Sequence, residues 1–256
     1  MTGRLFSADR FRASLKGAAA GRNLHYFDSV VSTSLAARQL YGVSGRTDFV
    51  AAAKVQTGGF GKYGRKWESP EGGLWFSFPA KVKKRAVPLF TLAAGRALAG
   101  YFIKRHGVGL QIKWPNDLVY DGKKVCGILT EVLETKKTYS VLLCGVGLNL
   151  NNTRFQFPPA LRGSVTSVGL ITGKKYDPAV TLGGLLNDLD AAGKNADPEE
   201  LAESLNRLSY SSGREVRIRR GEDLIKGVFR SITPEGCALI DAEGKEYRIT
   251  GDLEYL

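Results

Sequence analysis

The chain has 256 residues, room for one sizeable core and a small appended domain. Its 37 Lys and Arg against 25 Asp and Glu give a net charge of +12; that suits an anionic partner, but the excess is spread along the chain and not massed in a tail, which argues against a dedicated nucleic-acid binder. Two histidines and three widely spaced cysteines without CxxC spacing leave no metal site or histidine triad to build and suit buried free thiols in a reducing cytoplasm, while the opening MTGRLFSADRFRASLKG has no apolar run for a signal peptide or membrane anchor.

Residues 1–20 read as a polar lead-in with a short helix. NLHYFDSVV is an apolar strand, and Ser32-Thr33-Ser34 opens the helical pattern LAARQL. Hydroxyls at such a start cap the helix, and they can equally bind a ligand at its N-terminus. Residues 47–55 are a strand that delivers the stretch Lys54 to Ser77, KVQTGGFGKYGRKWESPEGGLWFS. Here Gly58, Gly59, Gly61 and Gly64 alternate with Lys62, Arg65 and Lys66, and Trp67 closes the run. Glycines allow close backbone approach, successive N–H groups make an anion-binding concavity, and the cations add full charge. The stretch reads either as a loop wrapping a phosphate or carboxylate or as a basic surface turn. It matches neither GxxxxGK[ST] nor GxGxxG.

LWFSFPAKV is a further strand, and PLFTLAAGRALAGYFIKRH (88–106) a core helix starting on its proline and ending on basic residues that suit the helix dipole. VGLQIKW is a strand, Asn116-Asp117 a turn after Pro115, and Asp121-Gly122 a two-residue hairpin between LVY and KKVCGILTEVL. That hairpin brings Lys113 and Lys124 toward one ligand, or is only a solvated turn. TYSVLLCGVGLNLNN is an apolar strand whose small-residue end presents Asn149 for close approach, or forms a bulge. Two Asp-Pro starts predict helices over 177–190 and 198–208, with GKNADPEE as the loop between them. From Gly213 short alternating segments split by RGED, TPEG and EG predict a small antiparallel β-barrel.

Together QTGGFGKYGRKWESPEGGLWFS, IKWPNDLVYDGKKVCGILTE and GVGLNLN resemble the biotin protein ligase family, in the family's order. VTSV (165–168) and the segment ending GDLEYL resemble later family segments, so the likeness covers residues 22–256. It implies an α+β fold: a mixed β-sheet catalytic domain backed by helices, of the class II synthetase-like biotin–lipoate ligase type, over residues 1–210, and an SH3-like domain over 211–256. No winged helix precedes the core, as in monofunctional ligases. The implied activity joins biotin to a lysine of the biotin carrier domain of a carboxylase, through biotinyl-5′-AMP made from ATP with Mg2+.

Residue by residue, the resemblance implies that Lys124, Arg65, Lys62 and Asp117 carry the chemistry. Lys124 would contact the reacting carboxylate and phosphate, Lys62 and Arg65 would hold phosphate, and Asp117 would orient or deprotonate the incoming amine. Biotin would meet Ser32, Thr33, Gln56, Gly59, Phe60, Lys124, Gly127 and Leu129; ATP would meet Gly61, Lys62, Gly64, Arg65, Trp67, Asn116 and Asn149. No residue is assigned to hold a metal directly. The family loop GRGRxGR reads GFGKYGR here, and Lys62 lacks arginine's planar fork, so retention of the adenylate should be altered. Ser34 stands where the family commonly has asparagine. The resemblance further implies a cytoplasmic enzyme without nucleic-acid or membrane partners that dimerises by edge-strand pairing. The rival readings are a lipoate- or octanoate-transferring enzyme of the same fold, a nucleic-acid-binding protein, and a binding module without catalysis.

Overall fold

The computed structural model describes residues 6–192, 197–220 and 223–256. After the helix α1 (Ala8–Ser14) come β1 (Asn23–Val30), α2 (Thr33–Ser44), β2 (Phe49–Gln56), β3 (Leu74–Lys83) and α3 (Phe90–His106). β4 (Gln111–Lys113), β5 (Asp117–Tyr120), β6 (Lys123–Thr135) and β7 (Tyr139–Leu148) follow. Then α4 (Val168–Thr172), α5 (Pro178–Ala192) and α6 (Pro198–Arg207) lead to β8 (Glu215–Arg220), β9 (Asp223–Ile232), β10 (Ala238–Ala242), β11 (Lys245–Ile249) and β12 (Glu254–Tyr255).

Seven strands form one mixed sheet in the order β1-β2-β3-β7-β6-β5-β4. Only β1 and β2 run parallel, and parallel neighbours need a crossover, which is α2. Every other pair in this sheet is antiparallel. The side-chain period of two sorts the strands into faces. Phe76, Phe78, Cys126, Ile128, Cys144 and Val146 enter the main core with Phe90, Leu98 and Phe102 of α3 and Leu182, Leu185 and Leu186 of α5. Ser77, Gly127, Leu129, Gly145 and Gly147 alternate with them and take the other face. There α2 packs Ala36 and Ala37 on Phe49, Ala51 and Leu143. This second face is thinly covered, and the cavity described below opens on it.

The remaining strands make a five-stranded antiparallel sheet in the order β11-β10-β9-β8-β12, consistent with an SH3-like domain. The mixed sheet backed by helices, followed by this small sheet, is the expected architecture.

Local expectations needed adjustment where one residue signal met competing contacts. Pro88 lies outside α3, which starts at Phe90 with Leu89 as its N-cap; the apolar side chains of Leu89 and Phe90 dock in the core and set the start. VGLQIKW contributes only the three residues of β4, and Asp117 begins β5 instead of ending a turn, because it pairs with Lys113 and Gly127. The Trp114–Pro115 peptide is cis. Asp121 and Gly122 take positive φ, 47° and 71°, as a two-residue hairpin requires. Of the GKNADPEE loop, residues 193–196 lie outside the described residues, and Pro198–Glu200 are the first turn of α6, capped by Asp197. β7 runs without a bulge against β3, pairing Gly145 with Ser77 and Gly147 with Trp75. Cys126 and Cys144 are buried free thiols, whereas Cys237 is only half-buried.

Candidate functional site

A cavity of about 200 Å3 on the α2 face collects most of the residues expected from the sequence. Its polar end is built where α2 begins. Ser32 caps the helix, accepting from Ser34 N–H at 3.2 Å. Gln56 Oε1 accepts twice from Thr33, from N–H at 2.8 Å and from Oγ1 at 3.0 Å. These two bonds fix the direction of a chain of hydroxyls. Thr33 spends its proton on Gln56, so Ser77 Oγ must donate to Thr33 (2.8 Å) and Ser34 Oγ must donate to Ser77 (3.0 Å). The Ser34 oxygen is therefore left as an acceptor and the Ser32 O–H as a donor. Gln56 Nε2 gives one proton to Ser69 Oγ at 2.8 Å and keeps the other. Gly145 makes room for this set, because a Cβ there would lie 2.7 Å from Ser34 Oγ.

The other end is cationic. The Lys124 ammonium on β6 lies 2.8 Å from Asp117 Oδ2 on β5 and 4.9 Å above the Trp67 ring. Asp117 Oδ1 is buried with no partner among the described residues. The Trp67 ring rests on Gly127 and Gly147, where an added Cβ would come within 2.9 and 2.4 Å of the indole. Behind Lys124 runs the VTSV segment: Lys124 N–H donates to Ser164 C=O and Thr166 N–H donates to Lys124 C=O. Asn116 is pinned to β6 in both directions, its side-chain amide and its carbonyl each 2.9 Å from Ile128.

The glycine loop spends part of its amides on backbone carbonyls. The N–H groups of Gly58, Gly61, Gly64, Arg65 and Trp67 are consumed by carbonyls of Val31, Arg65, Gly61, Lys62 and Gly59. The loop folds back on itself through positive φ at Tyr63 (57°) and Gly64 (70°). The side chains of Lys62 and Arg65 both hold one carboxylate, that of Asp252 just before β12, at 2.5 and 2.8 Å.

Ser32, Thr33, Gln56, Phe60, Gly61, Lys62, Arg65, Trp67, Asn116, Asp117, Lys124, Gly127 and Leu129 all line the cavity. Three expected residues do not. Gly59 is buried where a Cβ would strike Ser69 Oγ and Trp67 C=O at 2.7 Å, and Gly64 serves the turn. Asn149 is buried behind the wall, donating to Thr166 C=O (3.0 Å) and Lys124 C=O (3.4 Å). Lys113 also stays outside, 4.5 Å over the Tyr255 ring; burial lowers its pKa, Asp117 opposing this and Lys124 and Arg214 adding to it. Sequence reading missed Ser77, whose signal is one hydroxyl in an otherwise apolar strand, and Asp252, 187 residues from Arg65, for which the sequence carries no signal.

Cys126 and Cys144 offer no nucleophile: burial pushes the Cys126 thiol far up and Cys144 up to about 12. A larger cavity of about 1240 Å3 along β1 and β2 holds none of the expected residues, and its Lys54 and Glu71 are paired at 3.2 Å.

The model of the biotin/lipoate A/B protein ligase family matches residues 27–149. The biotin–[acetyl-CoA-carboxylase] ligase of Mycobacterium tuberculosis is 30% identical over 220 residues, 81% of this chain and 79% of that protein. The bifunctional ligase/repressor BirA of Bacillus spizizenii is 33% identical over 176 residues, 68% of this chain and 54% of that protein; this chain spans little more than half the length of such relatives. The solved biotin protein ligase from Aquifex aeolicus in complex with biotin and ATP superposes with a TM-score of 0.76 at 27% identity, covering 91% of this chain and 98% of that one. A mixed sheet carrying this cavity, a small antiparallel sheet behind it and a relative matched along most of both lengths place the chain in the biotin protein ligase family.

Proposed function

We propose that the protein joins biotin to a lysine of a biotin carrier domain in a carboxylase, at the expense of ATP. The observation that carries this reading is one cavity with a preset hydrogen-bonding end and a cationic end. A ureido ring offers one carbonyl and two N–H groups. The Ser32 O–H and the spare Gln56 N–H can donate to the carbonyl, and the Ser34 oxygen can accept from an N–H. Gly127 and Leu129 leave an apolar wall for the bicycle and tail, which directs the carboxylate toward Lys124.

In the first step a carboxylate oxygen bonds to the α-phosphorus of ATP and the bond to pyrophosphate breaks. Both reactants are anions, so Lys124, Lys62 and Arg65 stabilise the charge that gathers between them. In the second step the acceptor amine bonds to the carbonyl carbon, AMP leaves, and the amine gives up a proton. Asp117 Oδ1, buried and unpartnered, is the acceptor for that proton or for the N–H that precedes its loss. Phe60 and Trp67 shield the mixed anhydride from water, and Asn149 supports the nucleotide side by fixing the Lys124 backbone. No covalent enzyme intermediate is needed. Magnesium would arrive on the nucleotide's phosphates, which supply its ligands and need no protein cage; among the described residues no group of three side chains is placed to hold a metal.

The same reading puts the domain boundary at residue 210/211 and the enzyme in the cytoplasm, supported by three free thiols. Among the described residues no helix is long and apolar enough to cross a membrane. It calls for no nucleic acid, and β1, which among the described residues is an edge strand of the sheet, supports a homodimer by strand pairing.

The test is pyrophosphate release with Mg-ATP and biotin, with lipoate as the control acid. Biotin-dependent release is expected. Release with lipoate alone would move the chain to the lipoate branch, and tight biotin binding without release would make it a binding module.

A further inference from the structure

The Trp114-Pro115-Asn116-Asp117 turn carries two cavity residues, and the C-terminal sheet grips it from behind. Trp114 is buried, with its indole N–H donating to Gly236 C=O at 3.1 Å. Its backbone is held by a closed ring of three hydrogen bonds. Trp114 N–H donates to Ser211 Oγ at 3.1 Å, Tyr255 O–H donates to Trp114 C=O at 2.8 Å, and Ser211 Oγ lies 2.6 Å from the Tyr255 oxygen. The Tyr255 proton is spent on the carbonyl, so Ser211 must be the donor in the third bond, and every group in the ring then has one defined task. Ser211 is fully buried, and the Lys113 ammonium sits 4.5 Å over the Tyr255 ring, which fixes its plane. On the front side the same turn is tied to β6 through Asn116 and Ile128, and Asp117 meets Lys124.

We propose that Tyr255, through this ring, is a positioning residue for the ligase reaction, setting where the Asp117–Lys124 pair stands while leaving the ureido end of the cavity untouched. The inference rests on the proposed ligase activity. Its physical basis is the separation of the two ends: Ser32, Thr33 and Gln56 stand on α2 and β2 and share no hydrogen bond with the ring, whereas Asp117 is three residues from the carbonyl that Tyr255 holds. Releasing that carbonyl lets the turn shift, and reacting groups tolerate little displacement.

The experiment compares wild type, Tyr255→Phe, Ser211→Ala, their double variant and the control Tyr247→Phe, a barrel tyrosine outside the ring. Biotin affinity is measured by calorimetry and turnover by pyrophosphate release at saturating biotin and ATP, on protein whose folded fraction is matched by circular dichroism. Tyr255→Phe and Ser211→Ala should each lower kcat about tenfold, the scale of one orphaned buried group, with biotin affinity held within about twofold. The double variant should lose no more than about the worse single variant, because a ring is broken once. Tyr247→Phe should match wild type. Unchanged kcat in Tyr255→Phe, a parallel loss of biotin affinity, additive losses, or the same defect in Tyr247→Phe would each overturn the proposal. A wild type that binds biotin but releases no pyrophosphate would overturn both this inference and the ligase reading; active wild type with equally active Tyr255→Phe overturns this one alone.

Discussion

The Lys124 ammonium stands 2.8 Å from one oxygen of Asp117, and the other oxygen of that carboxylate is buried with no partner among the described residues. In the proposed reaction Lys124 would serve the anionic step and Asp117 would keep an acceptor in reserve for the amine. Lys124→Ala should cut biotin-dependent pyrophosphate release by about 10²–10³-fold, the usual scale for one charge-stabilising group. Asp117→Asn keeps the shape and the contact to Lys124 but not the basic oxygen. It should leave adenylate formation within about tenfold while slowing transfer to the carrier lysine by about 10²-fold. Single-turnover assays that separate adenylate formation from transfer check the difference.

Asp252 joins the loop to the C-terminal sheet by holding Lys62 and Arg65 together. Two partly exposed ion pairs at about 0.5 kcal/mol each change the open population of the loop by about fivefold. Asp252→Asn should therefore speed tryptic cleavage after Lys62, Arg65 or Lys66 by about that factor in protein without ligands. The excess over wild type should shrink as salt is raised, since the pairs are screened. Equal cleavage rates at low salt would show that the loop is held by its own backbone bonds.

How much of this site was legible depended on how far each signal reaches along the chain. Ser32, Thr33, Lys124 and the Asp121-Gly122 hairpin were readable because capping and turn chemistry act over two to four residues. The apolar strand with a small-residue end was readable from its composition, whereas which face Gly145 and Gly147 take emerged only from the pairing of β7 with β3. Which amides of the glycine loop stay open could not be read, because glycine content reports what a backbone can do, not which carbonyls will claim its N–H groups: those of Gly58, Gly61, Gly64, Arg65 and Trp67 are taken. Asn149 shares the parity of Gly145 and Gly147, but β7 ends at Leu148 before it, and its amide turns to the carbonyls of Thr166 and Lys124. Asp252, Ser211 and Tyr255 are pairings across the fold, and a single sequence holds no local trace of them.

Ser77 completes the hydroxyl chain from Ser34 to Gln56 although it carries no expected role. Ser77→Ala removes a donor to Thr33 and an acceptor for Ser34 inside a buried site, at about 1–3 kcal/mol. Biotin affinity should fall about ten- to hundredfold, with ATP affinity unchanged. Titration of each ligand separately by calorimetry tests this, and an equal loss for ATP would refute the assignment of this end to the ureido ring.

Gly147 has a negative φ and tolerates alanine in its backbone, yet a Cβ there would lie 2.4 Å from the Trp67 indole nitrogen. Gly147→Ala should displace the ring that covers Lys124. Overpacking of this kind costs about 1–3 kcal/mol, a modest fall in thermal midpoint. The effect on turnover should be larger, about 10²-fold, with the tryptophan emission maximum shifted to the red as Trp67 meets water. Loss of turnover without a spectral shift would mean that Trp67 stays in place and the damage lies elsewhere.

The C-terminal ring also predicts an alkaline limit to stability. Burial is the main cause that pushes the Tyr255 phenol up from 10 to about 12, with Asp117 adding to it and Ser211 and Arg214 opposing. A folded-state pKa raised above the unfolded one means that the folded form holds the proton more tightly. The stabilisation is then whole below pH 10 and is lost as pH rises from 10 through 12. Two pKa steps amount to about 2.7 kcal/mol at most, and Tyr26 and Tyr41, also raised to about 12, add to the fall. Urea midpoints should begin to fall near pH 9, where the unfolded thiols of Cys126 and Cys144 ionise, and drop more steeply above 10. Tyr255→Phe should start lower, having lost two hydrogen bonds, and decline less steeply above pH 10, so that the gap to wild type narrows. Parallel curves would show that Tyr255 does not share in the alkaline transition, and that its hydroxyl is free to ionise in place.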